Sequence, residues 1–243
     1  MIHVEGLVKD LGGRRVLDEI SFNAPTGTIT GLLGPNGAGK TTTMRILATL
    51  LVPDQGRVEI AGIDISRDPI GARRALGLVT EDPGLYDRLT VREQLTFTGR
   101  AYGLSSSTVA ARIDQLASLL GMGDYLDERA GILSKGNRQK VSLSRALVHD
   151  PPILLLDEPT SGLDVVAAAS LEKLLTLPEV TCGKTVLLST HRLDEAERMA
   201  TRVVGIAGGR VVVDATPEEL AEAYGGSFRE AFVQMLGRAE LGG

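Results

Sequence analysis

The chain has 243 residues, of which 43% are hydrophobic and 23% charged, and its formal net charge is −5. That apolar share supplies the core of one large domain or two small ones and excludes a disordered chain, which needs low hydrophobicity and high net charge. The acidic balance, the 3% aromatic content and the lack of Trp exclude, for the chain as a whole, the basic footprint and stacking platforms of a nucleic-acid binder.

No run of about 18 apolar residues occurs, so no transmembrane helix is expected. Residues 1–10 lack the basic-then-apolar order of a signal peptide. Cys182 is the only cysteine, which removes an intrachain disulfide, argues against a Cys-based metal site and fits a reducing cytoplasm.

In chain order, Ile2 to Val8 and Arg15 to Phe22 are short, partly alternating segments flanking Gly12-Gly13, the pattern of a hairpin. Thr28 to Leu33 is an apolar strand that runs into a glycine loop. Thr41 to Leu51 has helical character and stops before Pro53. Arg57 to Ile60 and Leu76 to Thr80 are two further strand candidates. From Thr90 the pattern turns helical. Thr90 and Glu93 have the spacing of a capping box, and Ile113, Leu116, Ala117 and Leu120 form one apolar face that Gly121 stops. Strands then alternate with helices through Ile153 to Leu156, Thr185 to Ser189 and Val203 to Ala207. The stretch Pro217 to Leu236 reads as helix broken at Gly225-Gly226. Such alternation predicts a parallel α/β sheet.

Gly34-Pro35-Asn36-Gly37-Ala38-Gly39-Lys40-Thr41 fits G-x-x-x-x-G-K-[ST], between a strand and a helix. A triphosphate is densely anionic, and glycines let backbone N–H groups wrap it. The helix N-terminus adds positive potential. In this pattern Lys40 reaches the β and γ phosphates and the Thr41 hydroxyl serves Mg²⁺.

Ile153 to Leu156 is an apolar strand that ends in Asp157-Glu158. Alone, that reads more readily as a strand closing in a polar turn. Beside a phosphate loop, Asp157 reads as a Mg²⁺ partner and Glu158 as the group that orients or deprotonates the attacking water. His191 follows the strand that ends at Ser189. At the end of a parallel strand it faces the ligand crevice, where it could hydrogen-bond a γ-phosphate, although alone it reads more readily as a structural histidine. His3 and His149 read as structural or solvated.

The ordered set of phosphate loop, helical stretch, Leu133-Ser134-Lys135-Gly136-Asn137, Asp157-Glu158, Ser161-Gly162-Leu163-Asp164 and His191 resembles the ATP-binding subunits of ABC transporters over nearly the whole chain. Leu133 to Asn137 is similar to the signature Leu-Ser-Gly-Gly-Gln, and Ser161 to Asp164 to the D-loop. The segment Ser134 to Asp164 looks most like bacterial exporter ATPases of the sodium-extrusion (NatA-like) and drug- or polysaccharide-export group.

The resemblance implies a P-loop NTPase of the ABC ATPase type, with a mixed sheet, an antiparallel β subdomain and a helical insertion. Residues 1–81 and 136–215 would form the core, about 82–135 the insertion and 216–243 a C-terminal helical tail. It further implies ATP and Mg²⁺ as ligands, and a head-to-tail dimer with ATP at each interface. Residues 34–41 with Thr42 would hold the phosphates, Leu11 and Val16 would pack on adenine, and Thr41, Glu81 and Asp157 would serve Mg²⁺. Ser134, Lys135, Gly136 and Asn137 would meet the partner subunit's ATP, and Asp164 would contact the partner subunit. Glu158 would be the base and His191 the γ-phosphate sensor. The implied partner is a separate membrane permease, and the implied location is the cytoplasmic face of the membrane.

This chain departs from the family pattern at Leu11, where an aromatic is usual, at Glu81, where Gln is usual, and at Lys135 and Asn137, which replace Gly and Gln. A soluble ABC ATPase of translation, repair or cofactor assembly is the alternative within the family. Against it, those in translation usually carry two ATPase halves and those in repair long coiled-coil insertions. A GTPase would need an Asn-Lys-x-Asp motif, which the chain lacks, and a small-molecule kinase would not need residues 133–137 beside Asp157-Glu158. A nucleotide-dependent binding module without turnover would not need Glu158.

Overall fold

The computed structural model describes residues 1–241, with side chains through Met235. Two sheets organise it. The first is antiparallel, in the order β2-β1-β4-β5, from β1 (Ile2–Leu11), β2 (Arg14–Ala24), β4 (Gln55–Ile60) and β5 (Ile63–Asp64). Its leading hairpin turns at Gly12 and Gly13, whose φ values of 58° and 80° supply the two left-handed residues that such a tight turn requires.

The second sheet has the order β10-β9-β3-β8-β7-β6, from β3 (Ile29–Leu33), β6 (Leu76–Val79), β7 (Ile153–Asp157), β8 (Thr185–Thr190), β9 (Arg202–Ala207) and β10 (Arg210–Ala215). Strands β6 to β9 and β3 run parallel, and β10 closes the edge as an antiparallel hairpin partner of β9. Strand β7 is buried at every position, as a continuous apolar run requires when both faces are covered. Its side chains still alternate by period two. Leu154 and Leu156 join the core with Leu143, Leu147 and Leu171, while Ile153 and Leu155 join the core with Met44, Leu47 and the hairpin residues Leu17 and Ile20. One strand thus ties the helical layer on one face to the antiparallel sheet on the other.

Helix α1 (Lys40–Leu47) starts one residue earlier and ends four residues sooner than expected. It closes in a Schellman pattern, with Leu50 N donating to Arg45 O, Thr49 N to Ile46 O, and Thr49 at φ 59°. Leu50 then lies outside the helix and is 66% exposed, while Ala48 stays buried and Leu51 packs on the core from beyond the helix end. Strands β5 and β10 and helix α2 (Pro69–Arg74) add to the expected elements. Strand β10 turns from β9 through Gly208-Gly209, both at positive φ, by the same device as the first hairpin.

Helices α3 (Val91–Ala101) and α4 (Ser106–Leu120) follow. The capping box forms in full, with Glu93 N donating to Thr90 Oγ1 at 3.1 Å and Thr90 N to Glu93 Oε2 at 2.8 Å. Gly121 ends α4 at φ 62°. Helix α5 (Lys135–Leu147) then lies against β6. A Cβ on Gly77 would stand 2.3 Å from the Ala146 carbonyl, so only glycine permits this approach. Helices α6 (Val165–Leu175), α7 (Pro178–Thr181) and α8 (Leu193–Met199) fill the connections between β7, β8 and β9. The tail forms α9 (Pro217–Tyr224), a break at Gly225 (φ 69°), and α10 (Phe228–Leu241), which runs past Leu236; residues 242 and 243 of the expected tail lie outside the described residues. Among the described residues no helix is long and apolar enough to cross a membrane.

Candidate nucleotide site

The sheet register assembles the site. Leu33 pairs with Thr190 across β3 and β8, and Asp157 pairs with Ser189 across β7 and β8. The residues just past these three strand ends, the glycine loop, Glu158 and His191, therefore emerge side by side. This is the carboxyl-end crevice where ligands of parallel sheets bind.

The loop after β3 leads into α1 through Gly39, at φ 113°. A Cβ there would stand 2.5 Å from Leu17 Cδ2, so hairpin packing and backbone angle both demand glycine. Lys40 is only 5% exposed. Its Nζ donates to Gly34 O at 2.7 Å and to Pro35 O at 3.3 Å, and lies 3.8 Å from Glu158 Oε1. Burial pushes the Lys40 ammonium below its usual pKa, opposed by the charges of Glu158 and Asp157. A cavity of about 330 Å³ opens here. Asn36, Gly37, Gly39, Lys40, Thr41 and Thr42 line one side, and Glu81, Glu158, Ser161 and His191 face them. Val16 lines one edge.

Glu158 adopts φ 50°, a left-handed conformation that costs a non-glycine residue energy and is concentrated at functional sites. Its N–H is tied to Ser189 O at 2.9 Å. Its Oε2 lies 2.8 Å from His191 Nδ1, and its Oε1 faces Lys40. The carboxylate is thus fixed between a cation and an imidazole at the cavity wall.

Asp157 is buried, and burial raises its carboxyl above the ordinary range. Its Oδ1 has no hydrogen-bond partner among the described residues. Glu81 Oε1 accepts a 2.7 Å hydrogen bond from Ser161 Oγ, which joins the segment after β6 to that after β7. By sequence, Ser161 is placed only at the head of the D-loop-like motif, not in the site. Its position three residues after Glu158, at the head of the Ser161–Asp164 motif, is the signal that marks it.

The other expected residues lie elsewhere. Leu11 is 41% exposed near the hairpin tip and does not line the cavity. Ser134 caps α5 by accepting from Asn137 N at 3.3 Å, and Asp164 caps α6 by accepting from Val166 N and Ala167 N at 3.0 and 2.9 Å. Neither these nor Lys135, Gly136 and Asn137 line the phosphate cavity. Lys135 lies over Gly162, where a Cβ would stand 2.2 Å from its Nζ. His149 stacks on Tyr102 with ring centroids 3.6 Å apart and meets Leu76 O through Nε2 at 3.0 Å, a packing role; burial pushes its pKa down. His3 lies 2.6 Å from Asn23 Oδ1 across the first hairpin.

A strand, a glycine loop closed on a buried lysine, and a helix, faced by a fixed carboxylate, define a nucleoside-triphosphate site of the P-loop class. The family model for the ABC transporter matches residues 17–161. The ABC transporter ATP-binding protein NatA of Bacillus subtilis is 39% identical over 86% of this chain and 85% of its own length. A Nod factor export ATP-binding protein I of Paraburkholderia xenovorans is 39% identical over 90% and 72%. Among solved structures, an ATP-binding subunit of an ABC transporter superposes with TM-score 0.88 at 32% identity, covering 97% of this chain and 99% of that one. The cassette MJ0796, a dimer in a post-hydrolysis state with ADP and Pi, superposes with TM-score 0.79 at 26% identity, covering 89% and 98%. The chain belongs to the ABC transporter ATP-binding family, and it is an ATPase.

Proposed function

We propose that the chain is the ATPase subunit of a bacterial ABC exporter, working as a head-to-tail dimer at the cytoplasmic face of the membrane beneath a separate permease. The observation that carries this reading is the separation of the two half-sites. Residues 134–137, at the N-terminus of α5, do not line the cavity formed by the phosphate loop, Glu158 and His191. A second copy brings them to it, where a helix N-terminus suits a γ-phosphate. Similarity to a Nod factor export protein supports the exporter class. We divide the chain into a core (1–81 and 136–215), an insertion (82–135) that transmits motion to the permease, and a tail from 216.

In this reading the N–H groups of residues 34–42 and the Lys40 ammonium bind the phosphates. The two loop carbonyls that now hold Lys40 give way to phosphate oxygens. Val16 packs near the adenine, with Leu11 beyond it on the same hairpin. Glu158 accepts the proton of the attacking water, and His191, tethered to Glu158, senses the γ-phosphate. Asp164 and residues 134–137 serve the dimer interface.

The residues present fit Mg²⁺. Asp157 Oδ1 is a buried acceptor without a partner among the described residues, and the Thr41 hydroxyl and Glu81 border the same crevice. No group of three or more His, Cys, Asp or Glu side chains able to hold a metal occurs among the described residues. Mg²⁺ usually keeps several waters and uses one or two carboxylates with the substrate's phosphates. Bound there, Mg²⁺ would neutralise charge on the β and γ phosphates. Glu81→Gln keeps an oxygen for the ion and an acceptor for Ser161. ATP affinity is therefore expected to hold, and Mg²⁺-dependent turnover to persist. Complete loss of turnover in a steady-state assay would make the Glu81 charge essential.

Co-purification with membrane proteins from the native host, read by mass spectrometry, tests the partner. A polytopic permease is the expected result. Ribosomal, repair or assembly factors without a permease would move the protein to the soluble ABC ATPases.

A further inference from the structure

Helix α8 begins just after His191, and its first turn carries Glu195, which is 0% exposed. Both its oxygens are engaged. Oε1 accepts from Thr160 Oγ1 at 2.8 Å, and Oε2 accepts from Thr190 Oγ1 at 2.5 Å. Both threonines are buried. Thr160 stands two residues after Glu158, and Thr190 immediately precedes His191. The Thr190 hydroxyl also accepts from Arg192 N at 3.0 Å. One carboxylate thus joins the two segments that carry the partners of the 2.8 Å Glu158–His191 contact.

Glu195, Thr160 and Thr190 do not line the phosphate cavity, so none of them is placed to touch nucleotide there. Arg192 lies on the same side: its Nη1 approaches Thr160 Oγ1 at 3.5 Å, and its Nη2 pairs with Asp194. A buried carboxylate is costly where an apolar side chain would fill the space. That cost falls as its oxygens find donors, and here each oxygen accepts one hydrogen bond, from a hydroxyl of each segment. Apolar packing could hold the two segments together, but it would not fix their distance as directionally as two hydrogen bonds to one rigid carboxylate do.

We propose that Glu195 is a positioning residue for ATP hydrolysis: acting through the Thr160 and Thr190 hydroxyls, it sets the geometry of the Glu158–His191 pair. This rests on the assignment of Glu158 as base and His191 as γ-phosphate sensor. A displacement of about 1 Å at reacting groups can cost on the order of a hundredfold in rate.

The test uses the full-length chain as Glu195→Gln, Thr160→Val and Thr190→Val, with Thr160→Ser and Thr190→Ser as variants that keep the hydroxyl. Three quantities are read: affinity for a fluorescent ATP analogue, kcat at saturating ATP, and the melting temperature. The expected result is a kcat lowered by about tenfold to a hundredfold with affinity within about twofold, and recovery in both serine variants. The valine variants leave Glu195 in place, so they keep the test open should Glu195→Gln fold poorly. In a Glu158→Gln background, Thr190→Val should cause no further loss, because the base it positions is already gone.

Affinity and kcat that fall together, in step with the melting temperature, would overturn the proposal and make Glu195 a packing residue. So would serine variants as impaired as the valine ones, or a full additional loss in the Glu158→Gln background. If Glu158→Gln alone hydrolysed ATP at the wild-type rate, the base assignment would fail. That result is distinguishable, because it does not involve Glu195.

Discussion

Glu158→Gln is expected to hydrolyse ATP at least about a hundredfold more slowly than wild type, the scale of a lost general base. The amide preserves shape and can still meet His191 Nδ1, now 2.8 Å from the carboxylate, so the wall of the cavity should not collapse. What disappears is an acceptor for the water proton and a negative charge 3.8 Å from Lys40. That second change works in the opposite direction for binding. With one anion fewer beside the phosphates, ATP affinity should hold or rise. Binding without turnover should therefore accumulate an ATP-bound dimer, visible as a shift to twice the monomer mass in light scattering with ATP and Mg²⁺. A variant that turns over at the wild-type rate would move the base elsewhere.

Lys40→Ala is expected to weaken ATP binding by about tenfold to a hundredfold or more, since a hydrogen bond to a charged group contributes about 1.5–3 kcal/mol. The loss in this chain has two parts. The phosphates lose a cation, and Glu158 then faces them without the ammonium that lies beside it. In the absence of nucleotide the same substitution frees two loop carbonyls, Gly34 O and Pro35 O, that Lys40 now engages. A melting temperature measured without ATP separates the two effects. A stable protein with weak nucleotide binding, by calorimetry, is the expected outcome. Unchanged affinity would place the phosphates away from this loop.

Much of this molecule was legible because its signals are contiguous. The phosphate loop is eight consecutive residues, 34–41, between a strand and a helix, so its pattern is readable without the fold. The capping box at Thr90 and Glu93 and the stop at Gly121 are likewise local, and both formed. Local signals failed where packing decides an end. The apolar residues after Leu47 extend the helical pattern, yet the chain turns at Thr49 and leaves Leu50 in solvent. The edge hairpin at Gly208-Gly209 carries the same pattern as the one at Gly12-Gly13, so β10 was available to the same reasoning.

By itself the sequence determined the chemistry: which residues can wrap a triphosphate, which acids end a buried strand, and which histidine follows the neighbouring one. Only the tertiary structure decided how they meet. The sheet order β3-β8-β7-β6 is not the chain order, so it sets Glu158 against His191, 33 residues on, and Glu81 against Ser161, 80 residues on. It also takes Glu195, an acid in an otherwise ordinary first helical turn, and buries it between two threonines from different strand ends. Hydrogen bonds act over about 3 Å in space and leave no mark of their range in the chain, whereas loops, caps and strands are written in the residues that make them.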